Sequence, residues 1–193
     1  MVGFRTKNFR MGKCHKGITM KKVVILRGIS GSGKSTYGKT HYPDAVVCSA
    51  DAHRMQKVTN PDGTTSRVYR FDASMVGADH SNCLNDFIVE IERGSPLIVV
   101  DNTNIRLWEI QNYVKLARIF GYVIEIVEMT LYFNDDAKLC AQRNIHEVPE
   151  ETVLSMAALF EPMHADDLPP GSSVRVEYAF STKPGYISVS GQK

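Results

Sequence analysis

No apolar run in this sequence approaches the roughly 18 residues of a membrane span, and its first residues lack the apolar stretch of a secretory signal. Cysteine is sparse. Cys14, Cys48, Cys83 and Cys140 lie far apart, with no Cys-x-x-Cys pair and no His or Cys at metal-ligand spacing. A disulfide scaffold and a zinc module are therefore excluded, and buried thiols in a reducing compartment are expected, which implies a cytoplasmic location. There is no internal repeat, no low-complexity segment and no Asn-Lys-x-Asp guanine signature. A large excess of one charge is also missing, since 23 basic residues face 21 acidic ones.

That near balance hides an uneven distribution. Residues 1–22 carry seven basic side chains (Arg5, Lys7, Arg10, Lys13, Lys16, Lys21, Lys22) and no acidic one, so the other 171 residues carry 16 basic and 21 acidic groups, a balance of −5. A mildly acidic body does not support a broad footprint on duplex nucleic acid, and any nucleic acid would be gripped locally. The basic stretch reads as a solvated tail, an arm that touches nucleic acid or an organelle presequence, although Gly3, Gly12 and Gly17 weaken the helix a presequence needs. At 193 residues, 43% hydrophobic and 23% charged, the chain is expected to form one globular domain. The expected division is a basic extension over 1–20, a domain over 21–182 and a tail over 183–193.

Apolar runs of strand length recur at 22–27, 45–49, 96–101 and 122–127. Helical spacing occupies 74–93 through Cys83, Leu84, Phe87, Ile88 and Ile91, ending at Gly94. A second helix is expected over 106–120 on an apolar face of Trp108, Tyr113, Leu116, Ala117 and Phe120, capped by Gly121. Further helices are expected over about 135–143, and over 150–161 on Val153, Met156, Leu159 and Phe160. Val174, Val176, Tyr178 and Phe180 alternate like a half-buried strand. Residues 55–75, around the turn Asn60-Pro61-Asp62-Gly63, read as a polar stretch, either a packed loop and helix start or a mixed basic and aromatic acceptor site. Strands alternating with helices predict an α/β fold of three layers, a parallel sheet with helices on both faces and ligands beyond the carboxyl ends of its strands.

The chemistry begins where the first strand ends. Gly28-Ile29-Ser30-Gly31-Ser32-Gly33-Lys34-Ser35 satisfies the Walker A pattern G-x-x-x-x-G-K-[ST] between a predicted strand and a predicted helix. Gly28, Ser30, Gly31, Ser32, Gly33, Lys34, Ser35 and Thr36 are the candidate nucleotide-binding residues. The glycines let backbone N–H groups turn inward on phosphates, Lys34 reaches the β- and γ-phosphates of ATP, and the Ser35 hydroxyl suits Mg²⁺. Asp51, about one strand beyond the P-loop helix, suits the general base for an attacking hydroxyl, and Arg54, one turn on, suits an anion on the acceptor. Asp51 equally suits a helix N-cap, and Arg54 a solvated helix face. Asp101-Asn102-Thr103-Asn104 closes a buried strand with four polar residues. Asp101 is a candidate for Mg²⁺ through water, and Asn102, Thr103 and Asn104 are candidates for phosphate or acceptor.

Taken together, the P-loop, Asp51 with Arg54, the D-N-T-N of 101–104 and the Arg143-Asn144 pair resemble the polynucleotide 5′-hydroxyl kinase family over about residues 21–160. The resemblance implies Asp51 as general base, Arg54 on the acceptor's phosphate and Arg143 in a lid over the triphosphate. Where some members carry a second lid arginine, this sequence has Ile145-His146-Glu147-Val148-Pro149, so either His146 stands in or the lid is weaker. The D-x-D-x-T phosphatase motif that accompanies many of these kinases is missing, and no removal of 3′-phosphates is expected. The implied activity is transfer of the γ-phosphoryl group of ATP, with Mg²⁺, to a nucleic-acid hydroxyl, foremost a 5′ end of DNA or RNA. The same group includes phage kinases of hydroxymethyluracil in DNA, toxin-like kinases and small-molecule kinases, so DNA modification and small acceptors stay open. A P-loop module that senses ATP without transfer is the reading outside enzymology.

Overall fold

The computed structural model describes residues 20–70, 72–131, 135–164 and 167–179. Residues 1–19 of the basic stretch, Phe180 and the C-terminal tail lie outside the described residues. Among the described helices none is long and apolar enough to cross a membrane.

Strand β1 (Lys22–Arg27) is buried along almost its whole length, and Val23, Val24, Ile25 and Leu26 are fully enclosed. Each such side chain contributes about 1.5–3 kcal/mol relative to exposure. Residues of this kind on both faces fit the centre of a parallel sheet. There β1 pairs in parallel with β5 (Leu97–Asp101) on one side and β6 (Val123–Thr130) on the other. Short β2 (Val46–Cys48) and β7 (Ser173–Tyr178) form the edges, giving the order β2-β5-β1-β6-β7. One face packs Val23, Ile25, Ile98, Val100, Ile124 and Ile126 under α2 (Val76–Arg93) and α3 (Leu107–Ile119), through Phe87, Ile110 and Tyr113. The other packs Val24, Leu26, Val99 and Val127 against Tyr37 of α1 (Lys34–His41). A smaller cluster of Ile29, Ala137, Cys140 and Val153 seats α4 (Asp136–Arg143) and α5 (Glu150–Leu159) beside the P-loop. This is the expected three-layer P-loop kinase architecture.

Several details depart from the sequence reading. Strand β6 runs on to Thr130 because its two carboxylates are neutralised inside the fold: Glu125 pairs with Lys22 and Arg175, and Glu128 with Arg27. In α3 the inward face is Ile110, Tyr113 and Ala117, which leaves Trp108, two residues and roughly 200° back from Ile110, 68% exposed. Phe120 and Leu159 are exposed too, Phe120 at the C-cap of α3 and Leu159 as the last residue of α5. Helix α2 starts at Val76, after a short 3-10 turn (Ala73–Met75) capped by the Asp72 carboxylate on Ser74 N at 2.9 Å. The polar stretch after β2 is an antiparallel hairpin, β3 (Met55–Thr59) and β4 (Thr65–Tyr69), closed over Asn60–Thr64 by an Asn60 N to Thr64 O bond of 2.8 Å. Cys48, Cys83 and Cys140 are buried and unpaired, and burial pushes the Cys48 thiol up to about 12, so it stays protonated.

Candidate active site

The P-loop leaves the end of β1 and folds into space that only glycine fits. Gly28, at φ +146°, would place a Cβ 2.8 Å from the Met129 carbonyl oxygen, and at Gly31, at φ +77°, a Cβ would overlap the Cys140 carbonyl. Gly33 caps α1 in a left-handed conformation without a side-chain bond, leaving the first-turn N–H groups of α1 to a ligand. Ser32 is fully buried, yet its Oγ has no hydrogen-bond partner among the described residues. A buried hydroxyl in a cradle of this shape fits an anion supplied from outside.

Lys34 is 7% exposed and its Nζ donates to the Ile29 carbonyl at 2.8 Å. Burial lowers its pKa, and the nearby carboxylates of Asp101 and Asp51 oppose that shift. A phosphate would supply the missing counter-charge. Ser30, Lys34, Ser35, Thr36, Asp101 and Arg143 line a cleft of about 150 Å³, with Asp51 and His146 at its far side. Ser35 and Asp101 bring two oxygen donors to this cleft that could hold Mg²⁺, and among the described residues no group of three His, Cys, Asp or Glu gathers to hold a metal. So small a donor set fits an ion that keeps waters and phosphate oxygens in its shell. Arg143 ends α4 with Nη1 bonded to the Ala179 carbonyl at 3.4 Å, and its Nη2 lies over Gly33.

Asp51 sits in the 3-10 turn Ala50–Arg54 that follows β2, where Ser49 and not Asp51 occupies the capping position. Its Oδ1 accepts from the Tyr69 hydroxyl at 3.1 Å, and its Oδ2 lies 3.4 Å from His146 Nε2. Burial, reinforced by the Asp51 charge, pushes the Tyr69 phenol up to about 12, which keeps it a donor. The Tyr69 and His146 rings touch at 4.2 Å between centroids. Beyond Asp51 opens a second cavity of about 350 Å³, lined by Arg54, Tyr69, Asp79, Thr103, Ile105 and Met156, among others. Asp51, Asn102, Thr103, Ser30 and His146 border both spaces.

The D-N-T-N residues divide into two kinds. Asp101 and Thr103 line the cleft, as does Asn102, although its amide is bonded away from it. Asn102 points back into the fold, accepting from Ala50 N at 2.8 Å and donating to Cys83 Sγ at 3.3 Å, so it braces the turn that carries Asp51. Asn104, 2% exposed at φ +46°, donates to the Leu26 carbonyl at 2.8 Å, while Thr103 O accepts from Gly28 N at 2.8 Å. These bonds lash the 101–105 loop to the P-loop. Arg54 is 11% exposed in its side chain, its Nε is paired with Asp79 and its Nη2 donates to Asp72 O at 3.1 Å. It lines the second cavity as a neutralised pair and not as a free cation. Sequence reasoning missed Asp79 because a lone aspartate in a helical pattern carries no partner information.

It also missed Arg27. This fully buried guanidinium donates to Asn104 O at 2.8 Å, Glu128 Oε2 at 2.8 Å, Ile105 O at 3.2 Å and Glu161 O at 2.7 Å. A charged residue closing an otherwise apolar strand just before a P-loop glycine was the available signal.

Comparison with known proteins agrees with this architecture. A family model described as AAA domain matches residues 23–163. Human NEDD4-binding protein 2 is 31% identical over 137 residues, which cover 69% of this chain but 7% of that protein, so the chain spans a small part of that relative's length. A sugar kinase from Janibacter sp. HTCC2649 superposes with a TM-score of 0.50 at 18% identity, covering 82% of this chain and 86% of that one. The AvrRxo1-ORF1:ORF2 structure with ATP gives 0.50 at 16% identity, over 81% and 55% of the two chains. With the family model spanning four of the five sheet strands, the P-loop, the Asp51 turn, α4 and α5, the chain belongs to the AAA domain family (AAA_33), on a P-loop kinase fold.

Proposed function

We propose that this domain is an ATP- and Mg²⁺-dependent kinase that transfers the γ-phosphoryl group to a hydroxyl of nucleic acid, foremost the 5′-hydroxyl end of a DNA or RNA strand. The observation that carries the proposal is the position of Asp51, whose carboxylate borders both the P-loop cleft and the adjoining cavity. A hydroxyl reaching in from the cavity side meets Asp51 while facing the phosphate side. Asp51 takes the hydroxyl proton as the acceptor oxygen bonds to phosphorus and the bond to the leaving diphosphate breaks. Tyr69 holds Asp51 Oδ1 by its 3.1 Å bond, so Oδ2, 3.4 Å from His146 Nε2, is the oxygen that takes the proton. Lys34 and the P-loop N–H groups hold the phosphates, and Arg143 stabilises charge on the transferring group. Mg²⁺, when bound at Ser35 and Asp101, would neutralise charge between the phosphates. The solved ATP complex on a similar fold supports ATP as the donor.

Arg54, already balanced by Asp79, leaves the cavity without an unneutralised cation from that turn. At about 350 Å³ the cavity suits one neutral nucleoside. The terminal sugar and base enter it, with Thr103 and the N–H donors that Arg54 keeps beyond its two bonds as contacts. The same dimensions favour a second reading, a flipped hydroxymethyluracil inside DNA. Labelled γ-phosphate offered with 5′-hydroxyl oligonucleotides, hydroxymethyluracil DNA, free nucleosides and sugars separates the readings. End-labelling is expected. Labelling confined to internal bases or to small molecules overturns the end-kinase proposal, and ATP binding without any transfer makes the domain a sensor.

A further inference from the structure

The β3–β4 hairpin takes no part in the sheet and stands beside the Asp51 turn. Its register sets Lys57 directly opposite Arg67 and Met55 opposite Tyr69. Cross-strand partners share a face, and residues two apart share it too, so Lys57, Arg67 and Tyr69 lie on one side of the ribbon. That side is oriented by Tyr69, whose hydroxyl bonds Asp51. Arg67 follows about 7 Å farther out, at roughly 3.4 Å per residue. Both cations are exposed, and among the described residues neither has a carboxylate within ion-pair distance. The one acidic residue of the ribbon, Asp62, is engaged in its turn by Thr64 N at 2.9 Å and Thr64 Oγ1 at 2.6 Å. Like charges directly opposed on a ribbon destabilise it unless an anion lies between them.

We infer that this face of the hairpin guides the acceptor strand, with Lys57 and Arg67 taking phosphodiesters downstream of the nucleotide whose hydroxyl stands at Asp51. It supplies the phosphate contacts that Arg54, committed to Asp79, does not. The occupant is a single strand because the row is narrow, two cations following one aromatic ring, and because the rest of the chain is acidic. The inference rests on the nucleic-acid reading above and deepens it.

The test is the double variant Lys57→Ala/Arg67→Ala in the full chain. Binding of fluorescent single-stranded oligonucleotides is followed by anisotropy across a salt series, with poly-glutamate as a competing polyanion, and phosphate transfer is measured in parallel. The variant is expected to bind a 20-nucleotide strand on the order of tenfold more weakly, with the salt slope reduced by about 1.4, or 0.7 for each lost contact. The loss should shrink as the acceptor is shortened to a dinucleotide. ATP affinity should hold and the melting temperature should hold or rise slightly, since removing opposed like charges relieves the ribbon. Unchanged affinity and slope overturn the inference, as does poly-glutamate competing as well as the strand. If strand binding depends on the hairpin but no phosphate is transferred, the guide stands and the kinase assignment falls. If transfer to 5′ ends proceeds equally in the variant, the reverse holds. Absence of strand binding by the unaltered protein sinks both.

Discussion

Asp51→Asn separates a chemical role from a structural one at this site. Asparagine keeps the oxygen that accepts the Tyr69 hydroxyl at 3.1 Å, and Asn102 still holds Ala50 N at 2.8 Å, so the turn keeps its two braces. What the folded state loses is the charge facing His146 across 3.4 Å, a pair whose side chains are 28% and 50% exposed. Solvent screening limits that loss to about 0–1 kcal/mol. The transition state loses its proton acceptor, which costs about two to four orders of magnitude in rate, or roughly 2.7–5.4 kcal/mol at 1.36 per decade. The two magnitudes differ enough to be told apart. Single-turnover transfer to a 5′-hydroxyl oligonucleotide should collapse, while ATP affinity by calorimetry and the thermal midpoint stay near those of the unaltered protein. Transfer at the unaltered rate would refute the base assignment and leave the P-loop assignment standing.

Lys34→Ala should reduce transfer by at least about 10²–10³-fold, the usual effect of losing one oriented donor to developing charge, as read by single-turnover kinetics. Arg143→Ala should lower turnover by more than it weakens ATP binding, and equal losses in kcat and in the Kd for ATP would make it a ground-state clamp instead. Glu128→Ala should cost about 3–5 kcal/mol in urea unfolding, because it strands the buried Arg27 charge. The paired replacement Arg27→Met/Glu128→Leu should recover most of that loss, and a single-variant cost under about 1 kcal/mol would contradict the buried-pair account.

The parallel sheet was legible because its central strands are apolar on both faces and its helices keep their period, and the P-loop because its glycines answer to local backbone geometry. Harder to read was anything decided by a distant partner. Glu128 breaks an apolar run, so β6 reads as ending at Val127, although its buried pair with Arg27 lets the strand continue. Trp108 follows the apolar composition of α3, but the angle set by Ile110 and Tyr113 turns it outward. The hairpin carries no strong alternation, so its pairing rests on register. At the site, Asp51, Lys34 and Asp101 do gather as their spacing suggested. The inward turn of Asn102 and Asn104 and the pairing of Arg54 with Asp79 depend on contacts across 52, 78 and 25 residues, beyond the reach of a linear pattern.

The Arg27 guanidinium also sets an order on how the protein is made. Its acceptors lie at 104, 105, 128 and 161, so four of its five donors wait on residues synthesised long after it. A nascent chain that stops short of Glu161 holds every P-loop residue and still cannot bury that arginine without leaving donors unanswered. The end of β1 is therefore fully bonded only once Glu161 has been made.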